Sequence, residues 1–86
     1  MPRLHLESKL LKAAAYQHQS AFLELEFRSG AVYRYYGVSA LTYQQLLRAD
    51  SKGRYFNRHI RNRFATLMIR PATSNSHTDE IVAPPK

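Results

Sequence analysis

Residues 21–36 constrain the fold of this chain more than any other stretch. Residues 21–27 read Ala-Phe-Leu-Glu-Leu-Glu-Phe, so Leu23, Leu25 and Phe27 alternate with Glu24 and Glu26. Side chains on a strand point alternately to its two faces, and this period of two marks a half-buried β-strand. Arg28-Ser29-Gly30 follows. A three-residue loop ending in glycine closes a hairpin, because Gly30 takes positive φ without a Cβ clash. Residues 31–36, Ala-Val-Tyr-Arg-Tyr-Tyr, are β-branched and aromatic and form the partner strand. Across the hairpin, Tyr33 and Tyr35 fall on the apolar face with Leu23, Leu25 and Phe27. Phe22, Val32, Arg34 and Tyr36 fall on the opposite face with the two glutamates.

Two strands of this length are not stable alone. Residues 8–16, Ser-Lys-Leu-Leu-Lys-Ala-Ala-Ala-Tyr, are ambiguous by propensity, and recruiting them as a first strand completes a three-stranded antiparallel meander. After Gly37 the period changes. Ser39 is a helix N-cap, and residues 40–49 place Tyr43, Leu46 and Leu47 on one face. Ser51-Lys52-Gly53 breaks this helix from a second, over about residues 54–64. Phe56, Ile60 and Phe64 form its inward stripe, with Arg54, Arg58 and Arg61 on another face. Leu67-Met68-Ile69 forms a short extended segment. The expected fold is α+β: a three-stranded antiparallel β-meander followed by two α-helices packed on one face. Residues 1–7 are an N-terminal extension, 8–70 the domain, and 71–86, polar and proline-ended, a disordered C-terminal tail. At 86 residues the core is near the lower size limit for a single domain.

Charge points to a partner class. The formal net charge is +7. Six of the sixteen residues from 48 to 63 are Arg or Lys, and Asp50 is the only acid among them. Arginine forks onto phosphate oxygens and stacks on flat rings, so an arginine-rich stripe interleaved with aromatics suits RNA. The expected contacts are Arg48, Lys52, Arg54, Arg58, Arg61 and Arg63 to phosphates, with Tyr55 and Asn57 adding stacking or hydrogen bonds. The bland alternatives are a solubilising helix face for the arginines and local capping for Asn57. An open sheet face bearing Phe22, Arg34 and Tyr36 is a weaker RNA platform, because Glu24 and Glu26 share it. The expected function is a small non-catalytic RNA-binding module, with tRNA and rRNA as candidate ligands. The rival is an adaptor docking on an acidic protein partner.

Other classes find little support. The chain has no cysteine, and its four histidines are too scattered for a metal site. No nucleophile–base pattern stands out, so neither enzyme, cofactor nor small-molecule substrate is expected. No run approaches the roughly 18 apolar residues of a membrane span. The opening Met-Pro-Arg-Leu-His-Leu-Glu carries an acid where a signal peptide is apolar. A cytoplasmic location is expected, without membrane contact.

The pattern Ser8…Tyr16…Leu23-x-Leu25-x-Phe27-x-x-Gly30-x-x-Tyr33-x-Tyr35-x-x-Val38…Tyr43…Leu47…Ala49-x-Ser51-x-Gly53-x-Tyr55-Phe56-Asn57-x-x-Ile60-Arg61 resembles the KTSC domain. That family occurs at the C-terminus of some lysyl-tRNA synthetases and as free-standing small bacterial proteins. The Tyr33-x-Tyr35 pair and the run from Ser51 to Asn57 are specific in combination. Two positions depart from the family pattern: Ser39 stands where a proline is frequent, and Ala15 where a glycine is common. What the resemblance implies about function is no more than a suggestion of RNA binding.

Overall fold

The computed structural model describes residues 3–72. The strands are β1 (Leu4–His5), β2 (Leu11–Gln17), β3 (Phe22–Phe27), β4 (Val32–Tyr36) and β5 (Ala65–Arg70), and the helices α1 (Ala40–Arg48) and α2 (Lys52–Tyr55) lie between β4 and β5. All pairings are antiparallel, in the order β1-β2-β3-β4-β5. The fold is α+β with two helices, as expected, but the sheet has five strands rather than the three of a simple meander. Leu4–His5 pairs with Ala13 and Ala14, and the chain returns after the helices to lay β5 against β4. The expected tail from residue 73 onward lies outside the described residues.

The hairpin loop is built as its residues dictate. Gly30 has φ +97°, its N–H donates to Phe27 O at 2.9 Å, and Phe27 N–H donates to Ala31 O at 2.8 Å. The register opposes Leu23 to Tyr35, Leu25 to Tyr33, and Glu24 to Arg34. Ser8 lies before β2 rather than inside it. Its Oγ accepts from the N–H groups of Leu10 and Leu11, fixing the turn that aims Leu11 inward.

One sheet face carries the core. Leu11, Ala14, Leu23, Leu25, Phe27, Tyr33 and Tyr35 pack with Val38, Leu46, Phe56 and Ile60 in one buried cluster. Phe56 is central: its ring meets Phe27 at 5.4 Å and Tyr35 at 5.8 Å, both edge to face. Ser39 and Ser51 cap the two helices through their Oγ atoms, which accept from Thr42 N–H and Arg54 N–H.

The second helix is shorter than its periodicity suggests. After α2 the chain passes into a π-helical turn, Phe56–Ile60, closed by Arg61 N–H donating to Phe56 O at 2.8 Å. Arg61 leaves helical geometry at ψ 127°, and Asn62 is left-handed at φ 62°. Asparagine tolerates that conformation better than most residues. The stripe therefore holds for Phe56 and Ile60, both buried. Phe64 is half-buried and reached through a turn instead of a further helical repeat.

Candidate nucleic-acid interface

Residues 48–63 run from the last turn of α1 through α2 and the π-turn to the reversal before β5. Arg48, Arg54, Arg58, Arg61 and Arg63 are exposed. Phe56 and Ile60 anchor this segment to the core, so Arg58 between them turns outward. Lys52 is half-buried, and its Nζ donates to Ala49 O at 3.0 Å, bracing the junction of the two helices. Tyr55 is half-buried too. Its hydroxyl donates to Gln45 Oε1 at 2.9 Å, and burial pushes its pKa up. The exposed Asn57 accepts from Arg61 Nη1 at 3.3 Å, which ties the arginine that has left the helix back to it. Of the eight candidate residues, five therefore present exposed guanidinium groups, while Lys52, Tyr55 and Asn57 already have hydrogen-bond partners within the protein.

His59 lies outside the expected set of contacts. Its ring lies 4.5 Å from that of Tyr55, tilted by 36°, and the residue is exposed. The signal was the i, i+4 spacing of two rings on a helix. Arg28 lies outside the segment and is committed to structure: its guanidinium donates to Ser8 O and Leu6 O at 3.0 Å each.

The electrostatics of the two sides of the molecule differ. All five ion pairs among the described residues lie on the sheet face away from the helices. Glu24 receives Arg3 at 2.7 Å and Arg34 at 3.0 Å. Glu26 receives Arg3 at 2.9 Å, Arg70 at 3.1 Å and Lys12 at 3.8 Å. Arg34 also lies over the Phe22 ring at 4.4 Å, and Phe22 meets Tyr36 edge to face at 5.8 Å. This face uses its cations and rings on itself. The segment 48–63, by contrast, takes part in none of these ion pairs, Asp50 included. No group of three or more His, Cys, Asp or Glu side chains suited to a metal ion occurs among the described residues.

An antiparallel sheet covered on one face by two short helices, with a basic segment running along them, defines a small α+β module of the KTSC type. The KTSC domain family model matches residues 7–64, and the chain belongs to that family. It is 47% identical over 57 residues to a protein of Stutzerimonas stutzeri, covering 66% of this chain and 80% of that one. It is also 38% identical over 63 residues to a lysine–tRNA ligase of Nostoc, covering 73% of this chain but only 11% of the ligase. Among solved structures, a KTSC domain protein from Yersinia pestis superposes with a TM-score of 0.77 at 31% identity, over 79% of this chain and 96% of that one.

Proposed function

We propose that the protein is a non-catalytic, cytoplasmic RNA-binding module that contacts phosphates through residues 48–63. The observation that carries this reading is the partition of charge. The carboxylates of β3 draw in Arg3, Lys12, Arg34 and Arg70, whereas five exposed arginines of the helical segment have no carboxylate within ion-pair distance among the described residues. Cations left without carboxylate partners on a packed support are the electrostatic footprint of a polyanion site. The exposed His59 ring beside Tyr55 offers a stacking surface for an unpaired base. The likeness to a segment of a lysine–tRNA ligase makes tRNA the first ligand to test. Among the described residues, no helix is long and apolar enough to cross a membrane.

The test exploits the separation of charge from packing. Arg54→Glu/Arg58→Glu/Arg61→Glu should keep the wild-type circular dichroism spectrum yet weaken tRNA binding by on the order of 100-fold at modest salt. Wild-type affinity should fall with a log–log salt slope of about −3 to −5, matching roughly three to six neutralised phosphates. Undiminished binding by the triple variant removes this surface from the reading. If the wild type ignores RNA at low salt but retains a protein from nuclease-treated lysate, an acidic protein partner takes its place.

A further inference from the structure

The helical segment presents its side chains in rows. From Lys52 to Ile60 the backbone is helical throughout, one turn of α-helix running into the π-turn. Residues four apart on such a segment are neighbours on its surface. Phe56 and Ile60 form the buried row. Arg54 and Arg58 form a second, which is exposed. Tyr55 and His59 form a third, one residue along from the arginines, and their rings meet at 4.5 Å with a tilt of 36°. Tyr55 is the fixed member of that pair: it is half-buried, and its hydroxyl donates to Gln45 Oε1 of α1 at 2.9 Å. His59 lies against it and is exposed, so one face of the imidazole is backed by the phenol ring and the other is open.

We propose that this segment takes RNA at an unpaired base rather than as an A-form duplex, the base stacking on the open face of His59 while the phosphates on either side of it lie on Arg54 and Arg58. This rests on the RNA-binding reading of the same segment and adds to it the strand state of the ligand.

A row of guanidinium groups beside a row of rings matches one strand better than two. A single strand carries phosphates and unstacked bases side by side, and both rows are then used. In an A-form duplex the bases are stacked within the helix, and the major groove is too deep and narrow for side chains to read them. To a duplex the segment is a row of cations, and the rings gain no partner. Every base has a flat face, so the preference is for an unpaired strand in general and not for a particular sequence. The contact with Tyr55 holds the imidazole in one orientation before a base arrives, which lowers the ordering cost of stacking on it. The ring pair on the far side of the sheet is not equivalent. Phe22 and Tyr36 meet edge to face at 5.8 Å, but Arg34 lies over Phe22 at 4.4 Å and is paired with Glu24 at 3.0 Å, so that ring and that cation serve each other.

Fluorescence anisotropy of the full chain with three labelled RNA probes of equal phosphate number tests this: a strand without self-complementarity, a duplex hairpin, and the first strand with abasic riboses. The unpaired strand should bind about fivefold or more tighter than either of the others. His59→Ala, at an exposed position, should keep the wild-type circular dichroism spectrum and abolish that margin, with the duplex and the abasic strand bound as before. His59→Phe keeps a ring and carries no charge, so it should restore the margin, which separates stacking from a lost cation. A duplex or abasic strand bound as tightly as the unpaired one, or a margin that persists in His59→Ala, overturns the proposal while leaving the phosphate contacts of the arginines standing. A wild type that binds none of the three probes overturns both readings.

Discussion

Two buried side chains show how differently polar groups are accommodated in so small a core. The Tyr35 hydroxyl is buried without a hydrogen-bond partner among the described residues, and burial pushes its pKa up. A buried hydroxyl that has lost water and gained nothing destabilises the fold, so Tyr35→Phe should be neutral or stabilising by up to about 1 kcal/mol in urea denaturation. A loss above that size would mean the hydroxyl has a partner in solution. Glu24 is the reverse case: only 7% exposed, it is held by Arg3 and Arg34. Glu24→Ala strands two guanidinium groups and should cost about 1–3 kcal/mol. Glu7→Ala, at an exposed position outside every ion pair among the described residues, should change stability by less than about 0.5 kcal/mol in the same assay.

The elements divide by how they are held. β3 and β4 are fixed by alternation and by the Gly30 loop, whereas the helical segment depends on two anchors, Phe56 and Ile60, both fully buried. With only one turn of α-helix followed by a π-turn, the segment has little intrinsic stability and takes its place from those contacts. Ile60→Ala should therefore cost about 2–5 kcal/mol, read as a lower denaturant midpoint at unchanged slope. The same dependence links packing to the proposed function: the guanidinium groups of Arg54, Arg58 and Arg61 are placed by the buried Phe56 and Ile60. If the proposed RNA-binding reading holds, a variant that loosens Ile60 should weaken RNA binding even with every arginine present.

At the level of the whole molecule, four tyrosines (Tyr33, Tyr35, Tyr43 and Tyr55) have pKa values raised from the ordinary 10.0, each with burial as the largest cause. Above that value the unfolded chain releases phenolic protons that the folded protein keeps. Fewer protons bound in the unfolded state means stability falls as pH rises, while below pH 10 both states are protonated and nothing changes. The melting temperature should thus be insensitive to these groups up to about pH 10 and drop beyond it. Tyr35→Phe should flatten that drop, and an unchanged alkaline profile in the variant would show that Tyr35 does not carry the effect.

The features legible in the sequence are those set by neighbours along the chain. Alternation at residues 22–27 needs only the pleat, the loop at Gly30 only a residue free to take positive φ, and the caps at Ser39 and Ser51 only a hydroxyl three residues before an amide. The basic character of residues 48–63 is likewise compositional, and Phe56 and Ile60 announce their common face by spacing. What the sequence left open depends on partners far along the chain. Leu4–His5 is too short to carry a period, and it is a strand only because Ala13 and Ala14 lie beside it. β5 lacks alternation because neither face is covered, so its residues mark a short extended segment but give it no place in the sheet until β4 supplies the ladder. Periodicity alone carries the second helix on to Phe64, because helical spacing does not register where a chain must reverse. Tertiary structure ends it at Ile60, since residues beyond must turn through Asn62 to reach the sheet, and that turn carries Arg61 off the helical stripe its spacing had assigned to it.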